Sequence, residues 1–355
     1  MLTRVKIENF KCIQSVDVPL SPLTAFVGPN DSGKTTILKA VQIGVTGEME
    51  LSQGFAIAFP ELTLSPSLAD SVPTIALWRE PLENDPSSAL HWERRVKIEV
   101  EKNDYYNAEI LQPVVEGDGP LIPTLFYSPR PDLLKRPSDS PRQHYALPTK
   151  LARLLGEDRE TFLDIEERLR EWVPTVNSII LKRSLDGNDL LWFELTSGER
   201  VPSISISDGT LLLLEYLTLL LAPPHLGILL IDGPEEGIHP HALEKLIAFF
   251  RGVQSKDPEL QILISSHSPD LLSFLGPEEI VVTNREQGSY TQAARLDQHP
   301  DLDQWLEGLT PGELWLWDGE SDILQRIRTA QEKYAERAGL SKFVEQIETK
   351  LTHLI

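Results

Sequence analysis

An α/β fold, with a mixed central sheet flanked by helices, is predicted by three short apolar runs that each end in polar residues. The first, Leu23-Thr24-Ala25-Phe26-Val27, leads through Gly28-Pro29-Asn30-Asp31-Ser32-Gly33-Lys34-Thr35-Thr36 into the helix-compatible Ile37-Leu38-Lys39-Ala40-Val41. The second, Gly227-Ile228-Leu229-Leu230-Ile231-Asp232, ends in an acid, and the third, Gln261-Ile262-Leu263-Ile264-Ser265-Ser266, is followed by His267-Ser268-Pro269. Runs of this length without polar alternation suit parallel strands buried on both faces.

The first unit has the spacing G-x-x-x-x-G-K-[ST] in the strand, loop and helix setting of a phosphate-binding P-loop. Gly28 and Gly33 let the loop bend so that N–H groups from Asn30 to Lys34, Ser32 included, turn toward phosphate oxygens at the positive end of a helix. Lys34 is expected to reach the β- and γ-phosphates, Thr35 to ligate Mg²⁺ and Thr36 to contact the α-phosphate. An acid at the carboxyl end of the second strand, Asp232, suits holding the same metal ion. His267 reads either as a sensor of the γ-phosphate or as an ordinary strand-end residue. Ser207-Asp208-Gly209-Thr210 opens the apolar helix Leu211-Leu212-Leu213-Leu214-Glu215-Tyr216; taken alone it is a capped core helix or a second anion site.

Taken in order, these motifs resemble the ABC-type, AAA-family ATPases of the SMC, RecF and OLD group. The opening Val5-Lys6-Ile7-Glu8-Asn9-Phe10-Lys11-Cys12-Ile13 looks like that group's first strand, and Pro234-Glu235-Glu236-Gly237-Ile238-His239-Pro240 like its D-loop region. The tail Trp305-Leu306-Glu307-Gly308-Leu309-Thr310-Pro311-Gly312-Glu313-Leu314-Trp315 resembles the ending of small stand-alone members. The resemblance implies a P-loop NTPase fold with a smaller β-rich and helical lobe, and ATP with Mg²⁺ as cofactors. It also implies a homodimer in which two heads sandwich ATP, with Ser207, Asp208 and Gly209 of one head meeting the nucleotide of the other. Such heads control an effector, a nuclease or similar protein, in DNA repair or antiviral defence; that context is analogy.

One position departs from the group. Where most members follow the Walker B aspartate with a glutamate that polarises the attacking water, this chain has Gly233. Loss of a positioned base costs about a hundred- to ten-thousand-fold. Turnover is therefore expected to be slow unless Glu235 or Glu236 reaches the γ-phosphate from another angle. The alternative is a catalytically weak nucleotide-binding scaffold that assembles a complex; a transporter subunit is disfavoured by the Asn9-Phe10-Lys11 opening.

The remainder is less specific. The matched motifs set the expected divisions: residues 1–64 and 201–295 as the two parts of the ATPase domain, 65–200 as an inserted lobe, and 296–355 as a helical tail. Residues 65–90 read as loop, 91–101 and 105–111 as paired strands, 151–172 as a surface helix and 176–195 as further strands. The middle is too short and Pro-rich for a long coiled-coil arm, no acidic Toprim pattern is seen, and the histidines lack metal-ligand spacing. The 355 residues, 41% hydrophobic, are enough for a large core. A single cysteine, Cys12, excludes an internal disulfide, and the polar-apolar start lacks a signal peptide's apolar centre. With no run long enough for a bilayer, a cytoplasmic protein is expected. A net charge of −21 argues against a whole surface that grips nucleic acid, although Arg130, Lys135, Arg136, Arg142, Lys150 and Arg153 form a basic stretch that could touch DNA or RNA. Lys11 is a candidate phosphate or ribose neighbour, and Gln53 a candidate Q-loop glutamine.

Overall fold

The computed structural model describes residues 1–47, 74–79, 90–103, 108–116, 122–129, 134, 147–222, 226–285 and 289–352. Strands β1 (Leu2–Phe10) and β2 (Ile13–Pro19) form an antiparallel hairpin, followed by β3 (Leu23–Val27) and helix α1 (Lys34–Thr46). Next come β4 (Thr74–Arg79), β5 (Leu90–Asn103), β6 (Ala108–Glu116) and β7 (Thr124–Tyr127), then α2 (Leu147–Glu157) and α3 (Arg159–Trp172). Strands β8 (Val176–Arg183), β9 (Asp189–Leu195) and β10 (Arg200–Pro202) precede α4 (Asp208–Leu221), β11 (Ile228–Asp232) and α5 (Pro240–Lys256). The chain closes with β12 (Gln261–Ser266), α6 (Pro269–Leu272), β13 (Ile280–Asn284), β14 (Gln292–Arg295), α7 (Leu302–Leu306) and α8 (Pro311–Thr352), which breaks at Gly319.

Among the described residues the central sheet has the order β14-β13-β3-β12-β11-β7 and is parallel except for β14. Alternate residues of its strands enter two different cores, as strand periodicity requires. Leu23, Ala25, Val27, Leu229, Ile231, Ile262 and Ile264 face a core closed by α2 to α6 and the first part of α8. Phe26, Ile228, Leu230, Leu263 and Val281 face α1 and the antiparallel sheet behind it. Helix α1 lies between two sheets, which is why Ile37, Leu38, Val41, Ile43 and Val45 are all buried around it. Each such apolar side chain contributes about 1.5–3 kcal/mol.

The segment expected as an inserted lobe is threaded through the fold. Strands β4, β5 and β6 continue the opening hairpin into an antiparallel sheet of order β2-β1-β4-β5-β6, and β7 joins the central sheet beside β11. Among the described residues β8, β9 and β10 make a sheet of their own. The division at residue 64 lies outside the described residues; of residues 102–104, expected as the turn between the paired strands, Lys102 and Asn103 instead continue β5, opposite Glu109 and Ala108 of β6. The expected single surface helix over 151–172 is two helices. Asp158 ends the first by capping the second, its carboxylate accepting from Thr161 N at 3.2 Å, and Leu151, Ile165 and Leu169 are fully buried. In the tail, Leu314, Ile323, Leu324 and Ile327 bury into the main core.

Candidate functional site

The carboxyl ends of β3, β12 and β11 lie side by side, with β12 in the middle, so the P-loop, the His267 segment and Asp232 open onto one cavity of about 880 Å³. That volume suits a nucleotide-sized ligand. Gly28 is required by space as well as by conformation, since a Cβ there would stand 2.0 Å from the Thr283 carbonyl oxygen. At the loop's end Thr35 Oγ1 donates to Asp232, 2.9 Å from Oδ1 and 3.1 Å from Oδ2, and Ser265 Oγ also donates to Asp232 Oδ1. A hydroxyl and a carboxylate converging at a P-loop are hard oxygen donors of the kind Mg²⁺ takes alongside waters and phosphate, so the residues fit that ion.

Lys34 folds back over the loop and donates to Gly28 O and Pro29 O, both at 2.8 Å. Burial lowers its pKa, and the nearby Asp232, Glu235, Glu320 and Asp31 oppose that shift. Glu320, just past the break at Gly319, belongs to the C-terminal helix, so that helix bears electrostatically on the P-loop lysine.

The two glutamates after Gly233 are placed differently. Glu235 is held against the third strand's end: Ser266 Oγ donates to its Oε1 at 2.8 Å, His267 N at 3.0 Å, and His267 Nδ1 lies 3.5 Å away. Its buried Oε2 has no hydrogen-bond partner among the described residues. Glu236 is exposed and lines the cavity. Gly233 has φ +77°, and the turn that follows, closed by Glu236 N donating to Gly233 O at 3.3 Å, folds Glu236 back over it. A Cβ built on Gly233 would stand 3.3 Å from Glu236 Oε1. The carboxylate of Glu236 therefore packs against the side of Gly233 from which a side chain would project.

Ser207 caps α4, accepting from Thr210 N at 3.2 Å, and Ser207 and Asp208 are exposed. Gly209 is buried under the Gly237 carbonyl, 2.4 Å from where its Cβ would stand. The start of α4 thus abuts the turn that carries Glu235 and Glu236.

Two family models match the chain: one described as "AAA ATPase domain" over residues 1–64, the other as "AAA domain, putative AbiEii toxin, Type IV TA system" over residues 121–273. Between them they take in the P-loop, the start of α4, Asp232 and His267. A Smc head from Pyrococcus furiosus, with an extended coiled coil and bound to the C-terminal domain of ScpA, matches 86% of this chain and 99% of its own with a TM-score of 0.56 at 12% identity. The chain is similar to AAA-type ATPase domains in sequence and to Smc heads in fold. A second Smc head, bound to the C-winged helix domain of ScpA, matches 84% of this chain and 99% of its own, with a TM-score of 0.55 at 14% identity. At such identities the likeness is one of fold. The OLD nuclease of Thermus scotoductus is 56% identical over 43 residues, which are 12% of this chain and only 8% of that protein.

Of the residues singled out from the sequence, Asn30, Gly33, Lys34, Thr35, Thr36, Asp232, Glu236 and His267 line the cavity, together with Lys11. Ser32 does not: its buried hydroxyl is 2.8 Å from Thr283 Oγ1, bracing the loop against β13. Glu235, Ser207, Asp208 and Gly209 also lie off the lining. Ser128, Ser265, Arg285 and Tyr290 line it without having been singled out from the sequence. Ser128 and Arg285 each follow the end of a central strand, so a reading of 124–127 and 280–284 as parallel strands would have exposed them. Of the basic stretch, Lys150 lies 3.6 Å from Glu215 and Arg153 3.8 Å from Glu157. Arg130, Lys135, Arg136, Arg142 and Gln53 lie outside the described residues. No helix among the described residues is long and apolar enough to cross a membrane.

Proposed function

We propose that this domain is an ATP-gated dimeric switch that binds Mg²⁺·ATP, hydrolyses it slowly, and controls an effector in DNA repair or defence against foreign DNA. The observation that carries the reading is the division of the motif residues. P-loop, Asp232 and His267 share one cavity, whereas Ser207 and Asp208 stand exposed outside it, on a surface that a nucleotide held by a second copy would reach. The backbone contact between Gly209 and Gly237 would link that intersubunit contact to the hydrolytic turn. Two Smc heads with the same fold carry a bound ScpA domain, and a nuclease shares a short segment at 56% identity; a protein effector is inferred for this chain by analogy.

In the mechanism, Lys34 releases Gly28 O and Pro29 O and turns its ammonium to the β- and γ-phosphates. Thr35 and Asp232 would hold Mg²⁺, which neutralises charge on the phosphates when bound. Glu236, at the place left open by Gly233, accepts a proton as water attacks the γ-phosphorus; the bond to the bridging oxygen breaks and ADP leaves with that electron pair. Glu235 keeps the His267 segment in position through Ser266 Oγ and His267 N. Loss of the shared γ-phosphate then lets the two copies part.

Light scattering with and without Mg²⁺·ATP tests the switch. ATP should convert monomer to dimer, and Ser207→Arg should keep ATP binding while remaining monomeric. A wild-type protein that binds ATP and never changes mass would contradict the reading. Dimerisation with no turnover would favour the nucleotide-locked scaffold, a reading that the glycine at position 233 supports.

A further inference from the structure

The cavity has a second end that neither the motifs nor the hydrolytic groups occupy. Strand β3 lies between β12 and β13, so the P-loop divides the cavity. Asp232, Glu236 and His267 come from the β11–β12 side, and the γ-phosphate belongs there. With the β-phosphate over Lys34 and the α-phosphate at Thr36, a nucleotide must lay its ribose and base on the opposite side. That side is lined by Lys11 and Cys12 from the β1–β2 turn, Arg285 from the end of β13, and Tyr290 just before β14. We propose that Tyr290 is the stacking platform for the nucleobase, with Lys11 directed at the ribose-phosphate beside it; this rests on the ATP-binding reading above.

Tyr290 is the one tyrosine, phenylalanine or tryptophan among the described lining residues, and it is 36% exposed. Its position is fixed by the next residue. Thr291 is buried, its N–H donates to Cys12 O at 2.9 Å, and its hydroxyl packs where a Cβ of Gly33 would stand, at 2.4 Å. The same hydroxyl donates to Cys12 Sγ at 3.4 Å, and Cys12 Sγ lies 3.6 Å from Thr36 Oγ1. Three pieces of the chain, the P-loop helix, the β1–β2 turn and the approach to β14, are therefore tied together beside Tyr290. The turn itself holds Asn9 at φ 55° and Lys11 at φ 52°, left-handed conformations that non-glycine residues adopt at a cost and that gather at ligand sites. Lys11 is partly buried beside Lys39, and burial with that second cation brings its pKa down to about 8. Stacking on an aromatic ring tolerates any base, and removal of such a ring weakens binding by about ten- to a hundred-fold.

The test is calorimetric titration of the full chain with Mg²⁺·ATP and with Mg²⁺·tripolyphosphate, which offers phosphates and no base. Tyr290→Ala should weaken ATP binding ten-fold or more and leave tripolyphosphate binding unchanged, while Tyr290→Phe should keep both. In the wild type, bound adenine H2 and H8 should shift upfield under the ring current, and Tyr290→Leu should abolish that shift. Tyr290→Ala acting on neither ligand, or equally on both, would overturn the platform while leaving the ATP-binding reading intact. A wild type that binds tripolyphosphate as tightly as ATP would do the same. A wild type that binds neither ligand would overturn both.

Discussion

The two carboxylates that follow Gly233 are neighbours in sequence and opposites in structure. Glu235 is withdrawn from the cavity and committed to Ser266 and the His267 backbone; Glu236 is exposed, lines the cavity and overhangs the glycine. In the proposed mechanism this one turn divides two tasks, bracing the His267 segment and presenting a base to the phosphate. A residue other than glycine at 233 would need both the left-handed backbone and the space that Glu236 now fills.

The strongest way to break this comparison removes what both glutamates serve. Lys34→Ala should abolish ATP binding and turnover together, measured by titration and phosphate release, because the loop then lacks its phosphate cation. Next in size, Glu236→Gln should lower kcat by about a hundred-fold or more with little change in ATP affinity. Glu235→Gln should cost less, about ten-fold, since the amide still accepts from Ser266 and the His267 backbone. Gly233→Ala sharpens the contrast without altering any ionisable group. The added methyl crowds Glu236, so kcat should fall, and the left-handed φ should cost about 1–2 kcal/mol of stability by urea unfolding.

The smallest effect concerns pH. Lys11 loses its proton near pH 8 in the folded protein, below the ordinary lysine value of 10.5. ATP affinity should decline as pH rises through that region, and Lys11→Arg should flatten the decline. Stability moves the other way. Between pH 8 and 10.5 the unfolded chain binds more protons than the folded one, so the folded state gains stability as pH rises there. Matched binding and unfolding curves at pH 7, 8 and 9 check both signs.

Much of the phosphate end was legible because its parts are short and local: a glycine loop at fixed spacing, and apolar runs that end in Asp232 and His267. The Gly233 departure was legible too, but not its consequence. Choosing between Glu235 and Glu236 needs the direction of a turn, which the left-handed Gly233 sets and composition does not reveal. The opposite end left no motif, since Lys11, Arg285 and Tyr290 meet only through the pairing of β3 with β13 and the bond from Thr291 to Cys12. Which sheets the middle of the chain joins was not legible, because alternating strands such as β5 announce an antiparallel pair but not which sheet they extend. Asp158 divided one apparent helix because a capping carboxylate overrides an apolar pattern that runs through it.

The most direct measurement of the central claim is steady-state hydrolysis by Glu236→Gln and Glu235→Gln, with mass followed by light scattering. The account predicts that Glu236→Gln binds ATP, stays dimeric and almost ceases to turn over, while Glu235→Gln retains a larger share of activity. Wild-type turnover in Glu236→Gln would contradict it.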